Sequence, residues 1–115
     1  MKDENDVIIK MNKIVNEYHS LNSIDGNTLN EMLRQITSCL YYLETVRSEA
    51  HNHFQCMIAN LTEEGSSVAK ANNLAHVAFP LMYKLRRIMT SGYEVVGAIR
   101  TNISYLKSEM NQNLN

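Results

Sequence analysis

The stretch that decides the fold is "LNEMLRQITSCLYYLETVRSEAHNHFQCMIANLTE", residues 29–63. It holds neither proline nor glycine, the two residues that most readily interrupt a helix. Leu29, Leu33, Ile36, Leu40, Leu43, Arg47, Ala50, Phe54, Met57 and Leu61 recur in steps of three and four. That spacing draws one apolar stripe along a helix and has the heptad period of helices packed at a shallow angle. Arg47 is the one charged intruder. A helix of this length would span about 52 Å, which is long for a globular domain and points to a helical hairpin or coiled coil.

The flanking sequence extends the pattern. Upstream, Val7, Ile8, Met11, Ile14, Val15, Tyr18 and Leu21 mark a medium helix over about residues 3–21. Asp3, Glu4 and Asp6 stand at its start, where the helix dipole favours acids. "NSIDGN" (22–27) then clusters turn-forming residues, and Thr28 with Glu31 has capping-box spacing. Downstream, Gly65 suits a left-handed C-cap, and Ser66 or Ser67 can cap a short helix over about 67–76. "VAFP" ends that helix, because the residue before proline is pushed out of helical geometry. Pro80 opens the last helix, about 80–111, whose stripe is Leu81, Leu85, Ile88, Gly92, Val96, Ile99, Ile103, Leu106 and Met110. Gly92 and Gly97 weaken a helix interior unless another helix approaches closely. The terminal "NQNLN" (111–115) is expected to fray.

These elements predict a single all-α domain over residues 1–115. Its architecture is an elongated antiparallel hairpin of two long helices, with one medium N-terminal helix and one short helix. The 115 residues include 44% apolar types, one proline, four glycines and seven methionines. So small and elongated a chain struggles to bury every stripe alone, so self-association is expected.

Composition narrows the function. No run of about 18 apolar residues is present, and the acidic start "MKDENDVIIK" lacks the order of a secretory signal. The expectation is a cytoplasmic protein with no membrane partner. Cys39 and Cys56 lie about 25 Å apart on one helix, too far for an intrachain disulfide, and read as buried thiols. His51 and His53 point about 200° apart on a helix, which does not suit a shared metal. No phosphate-cradling loop, nucleophile elbow or carboxylate pair stands out, so neither enzymatic activity nor a cofactor is expected. "NLT" (60–62) and "NIS" (102–104) match the glycosylation sequon but lie on predicted helices, and read as chance matches.

The formal net charge is −1, but it is unevenly spread. Residues 1–65 carry five Lys/Arg against ten Asp/Glu, and residues 66–115 carry six against two. On the last helix, with residue 84 at zero, the apolar stripe centres near ~80° and Arg86, Tyr93, Arg100 and Lys107 fall at about 200°, 180°, 160° and 140°. Recurring every seven residues, they form a second stripe beside the apolar one. Three cations can follow a phosphate backbone while Tyr93 stacks on a base, with Lys84 and Arg87 assisting and Lys70 preceding them. Cations beside a heptad seam also commonly pair across helices, and Glu44 is placed to meet them.

The segments "AKANNLAHVAFPLMYKLRRIM" (69–89) and "VVGAIRTNISYLKSEM" (95–110), following a long helix and a Gly-marked break, resemble the recombination mediator proteins of T-even-type bacteriophages. The matching residues are Ala98, Ile99, Arg100, Ile103, Lys107 and Glu109, within a similarity covering roughly 33–110. The resemblance implies a small helical homo-oligomer, ring-like, that binds single-stranded DNA and helps load a recombinase in the cytoplasm of a bacterial host. In the middle region "VRSEAHNHF" (46–54) offers Arg47 and two histidines where that family has a basic cluster. Two other readings fit the same sequence. One is a protein-interaction module, such as a phage inhibitor or adaptor of a host factor, using the acidic residues Glu44, Glu49, Glu63 and Glu64 or a Met-rich stripe. The other is a purely structural assembly protein.

Overall fold

A computed structural model describes residues 3–114 as four helices: α1 Glu4–His19, α2 Gly26–Glu63, α3 Val68–Ala78 and α4 Leu81–Leu114. The fold is all-α, and no strand occurs among the described residues. Each of the first three helices begins on a side-chain cap. Asp3 accepts a hydrogen bond from Asp6 N at 2.9 Å, and Ser67 accepts one from Lys70 N at 3.2 Å. For α2 the cap is Asp25, which accepts from Thr28 N at 3.1 Å and from the Thr28 hydroxyl at 2.8 Å. The capping box expected at Thr28 and Glu31 is therefore displaced. The helix starts three residues earlier, and Glu31 instead pairs with Arg34 and accepts from Gln35. An aspartate wins the cap because its ionised carboxylate binds the orphan N–H groups and suits the helix dipole.

The α2–α3 break follows from Gly65, the one described residue with a left-handed φ, +105°. Ser66 N donates to Leu61 O at 2.9 Å and Gly65 N to Thr62 O at 3.1 Å, the paired bonds of a Schellman ending. At the next break Phe79 leaves helical geometry before Pro80, whose carbonyl accepts from Lys84 N at 3.2 Å. Pro80 thus stands just ahead of α4 as its cap. α4 is helical through Leu114, and Asn115, the last residue of the end expected to fray, lies outside the described residues.

Two apolar cores hold the helices together. The larger joins Val7, Met11, Ile14 and Val15 of α1 to Leu29, Met32, Ile36, Cys39, Leu40 and Leu43 of α2, and to Leu85, Met89, Val95, Val96 and Ile99 of α4. The smaller gathers Phe54, Ala75 and Met82 where α2, α3 and α4 meet. Between α2 and α4, Leu40 lies against Gly92, Glu44 reaches Tyr93, and Phe54 faces Tyr83. Between α1 and α4, Met11 lies beside Gly92 and Asn102 Nδ2 donates to the Tyr18 hydroxyl at 2.9 Å. The molecule measures 70 × 30 × 21 Å.

The buried set on α4 differs from the expected stripe. Met82, Met89 and Val95 are buried as well, while Met110 is 63% exposed. A straight helix drifts relative to a strict seven-residue repeat, and the middle of α4 touches both α1 and α2, which widens its apolar face. Cys39 is buried as expected, but Cys56 is exposed. It lies on the solvent side of α2, beyond the reach of α1.

Candidate nucleic-acid interface

The site is built where α4 lies against α2. Val95, Val96 and Ile99 turn inward to the core, which fixes the rotation of α4 and leaves the neighbouring helical positions at the rim. Tyr93 and Arg100 flank that buried face, and Arg86 lies two turns toward the N-terminus of α4. From α2, the burial of Leu40 and Leu43 likewise sets Thr37, Tyr41, Glu44 and Arg47 along the opposite rim.

Two adjoining clefts result. One, of about 400 Å³, is lined by Glu44, Arg47, Arg86, Met89, Thr90 and Tyr93. The other, of about 260 Å³, is lined by Thr37, Leu40, Tyr41, Glu44, Tyr93, Val96 and Arg100. Glu44 and Tyr93 belong to both and form the saddle between them. The Tyr93 hydroxyl donates to Glu44 Oε2 at 3.2 Å. Arg47 Nε donates to Glu44 Oε1 at 3.0 Å, and its terminal nitrogen pairs with the same oxygen.

These bonds set the charges of the saddle. Hydrogen bonding from Arg47 holds the Glu44 carboxyl below the usual range, helped by the charge of Arg47 and the Tyr93 hydroxyl and opposed by burial. The Tyr93 hydroxyl is pushed up, first by burial and then by the Glu44 charge. Near neutral pH Glu44 is therefore an ionised acceptor and Tyr93 a neutral donor.

Arg86, Tyr93 and Arg100 come together along the α2–α4 groove. Lys107 is exposed further along the same edge, about 10 Å beyond Arg100 at 1.5 Å per residue. Lys84 and Arg87 are exposed but line neither cleft. They project from other sides of α4, at about 0° and 300° in the same helical projection. Glu44 does not take up any of these cations, since it is engaged by Arg47 and Tyr93. The two ion pairs among the described residues are Glu31–Arg34 and Glu44–Arg47, so the α4 cations stand without a carboxylate partner there. His51 and His53 go to different neighbours, His51 Nδ1 to Met82 Sδ at 3.2 Å and the His53 ring to Phe79.

Three groove residues are not evident from α4 alone: Thr37, Tyr41 and Arg47. Tyr41 is 79% exposed, a costly placement for so large a ring. Its signal lies in the spacing of Thr37, Tyr41, Glu44 and Ser48, which follow steps of three and four along the flank of α2's apolar stripe.

No protein-family model matches the chain, and no curated protein or solved structure does either.

Proposed function

We propose that the chain is a non-enzymatic, self-associating helical protein that binds single-stranded nucleic acid along the α2–α4 groove. The observation that carries this reading is the row of carboxylate-free cations, Arg86 and Arg100 in the groove and Lys107 beyond it, with a half-exposed Tyr93 ring between the two arginines. Cations in line with an aromatic platform are what a flexible phosphate chain with accessible bases requires. A phage-type accessory role in recombination mediation is part of the proposal and rests on the sequence resemblance. In the assembly the subunit would be an antiparallel hairpin of α2 and α4 braced by α1 and α3.

Self-association is supported by surface area. The chain exposes 8054 Å², against about 6,400 Å² for a compact monomer of its mass. The test of the proposal is fluorescence anisotropy of a labelled 40-mer single strand at low salt. Binding by the native chain that falls in Arg100→Glu, with the mass by light scattering unchanged, supports it. Failure of the native chain to bind sinks it.

A second reading, a module that docks a protein partner, is favoured by α3. There Val68 and Val77 are 61% and 80% exposed and Leu74 is 41% exposed. Stoichiometric recovery of one partner protein, with no nucleic-acid affinity, would select it.

A further inference from the structure

Building on the nucleic-acid reading of the groove, we infer that the smaller cleft is a pocket for a single unstacked base that carries an exocyclic amino group. The occupant follows from what lines the cleft. Leu40 and Val96, 4% and 7% exposed, form an apolar floor. Tyr41 from α2 and Tyr93 from α4 stand on opposite rims with much of each ring in solvent, 79% and 51%. Two exposed aromatic rings flanking an apolar floor suit a flat heterocycle, because every base has a π-face. A volume of about 260 Å³ is below the range of drug-sized sites and fits one small ring system.

The polar groups choose among bases. Glu44 has one oxygen occupied by Arg47 and the other by a single bond from Tyr93. An ionised carboxylate offers about four acceptor positions, and the Glu44 side chain is 42% exposed. It therefore retains acceptor capacity toward the cleft and has no proton to donate. An amino group, N4 of cytosine or N6 of adenine, satisfies it. The O4 of thymine or uracil at the same place meets a second acceptor. Arg100 at the cleft's edge takes the flanking phosphate. A base paired within a duplex cannot enter, so the pocket also selects single strands.

The experiment compares the native chain on dC20, dA20, dT20 and an abasic 20-mer at one low salt concentration, read by anisotropy and by quenching of the protein's own tyrosine fluorescence. The expected result is roughly tenfold tighter binding of dC20 or dA20 than of dT20, weakest binding of the abasic strand, and quenching that accompanies the tighter strands. Glu44→Gln should level the preference, and Tyr41→Ala should weaken every base-bearing strand while leaving the abasic one unchanged. Equal affinity for all four strands overturns the pocket and leaves phosphate binding standing. Binding of none of them overturns both the pocket and the nucleic-acid reading.

Discussion

Two glycines on α4 should respond differently to the same substitution. A Cβ on Gly97 would meet nothing within 4 Å, whereas one on Gly92 would lie 2.7 Å from Met11 Sδ and 3.1 Å from Leu40 Cδ2. Alanine is better than glycine in a helix interior by about 1 kcal/mol. Gly97→Ala should therefore raise stability by about that amount. Gly92→Ala has the same propensity benefit but must displace two side chains that are 0% and 4% exposed, and overpacking of a filled core costs about 1–3 kcal/mol. The net for Gly92→Ala is a change of about 0 to −2 kcal/mol. The two variants should differ by about 1–3 kcal/mol. With an unfolding entropy of about 2.1 cal/mol/K per residue, 1 kcal/mol corresponds to about 4 °C for a chain of this length. Urea and thermal unfolding followed by circular dichroism at one fixed protein concentration would read the difference, since association makes Tm concentration-dependent. Equal stabilisation by both substitutions would refute the close packing of α1, α2 and α4 at Gly92.

Ile99→Ala, at a site with 0% exposure, should cost about 2–5 kcal/mol, whereas Met110→Ala should change stability by less than about 0.5 kcal/mol; similar losses would contradict the described end of the core. Under native conditions a thiol reagent should label Cys56 promptly and Cys39 only on unfolding, which mass spectrometry of the labelled chain would read. Arg34 and Gln35 hold the Glu31 carboxyl at about 2, and Thr28 holds Asp25 below its usual value. Because these folded-state values lie below the unfolded ones, the stabilisation is present above about pH 4 and is lost as the pH falls through the folded values. The Tm should hold level from pH 7 to 5 and drop toward pH 2, and a flat profile to pH 2.5 would count against those bonds. Val77→Asp on α3 should lower the mass seen by light scattering if α3 meets a second copy; a native chain that is monomeric at every concentration would end the association proposal.

Much of the architecture was legible in the sequence because the apolar periodicity is strong and the breakers are few. Val7, Met11, Ile14, Leu29, Ile36, Leu40, Leu85 and Ile99 fall on the expected stripes and in the core. Gly65 and Ser67 mark the second break as their chemistry requires. What could not be read was partner number along each helix. Met82, Met89 and Val95 are buried because α4 touches different helices at different heights, and a single-period projection carries no height. The cap of α2 was misplaced because aspartate and threonine are both good caps, and only the geometry decides between Asp25 and Thr28. At the groove, the α4 edge of Arg86, Tyr93, Arg100 and Lys107 was legible from its seven-residue recurrence. On the opposite rim Glu44 was legible and Tyr41 was not: facing Tyr41 to Tyr93 depends on the register between α2 and α4, which also brings Glu44 to Tyr93, 49 residues along the chain, rather than to the cations.

Phosphate binding by the α4 edge should show in the salt dependence of affinity. Each phosphate neutralised on a single strand contributes a slope of about −0.7 to log K against log salt. Arg86, Arg100 and Lys107 together give about −2 per protomer, so raising salt from ~50 to ~200 mM should weaken binding of a 40-mer about 20-fold. The variant with all three changed to glutamine should lose that slope together with most of its affinity at the lower salt. Binding by the triple variant with the native affinity and slope, or no binding by the native chain at the lower salt, would contradict the account.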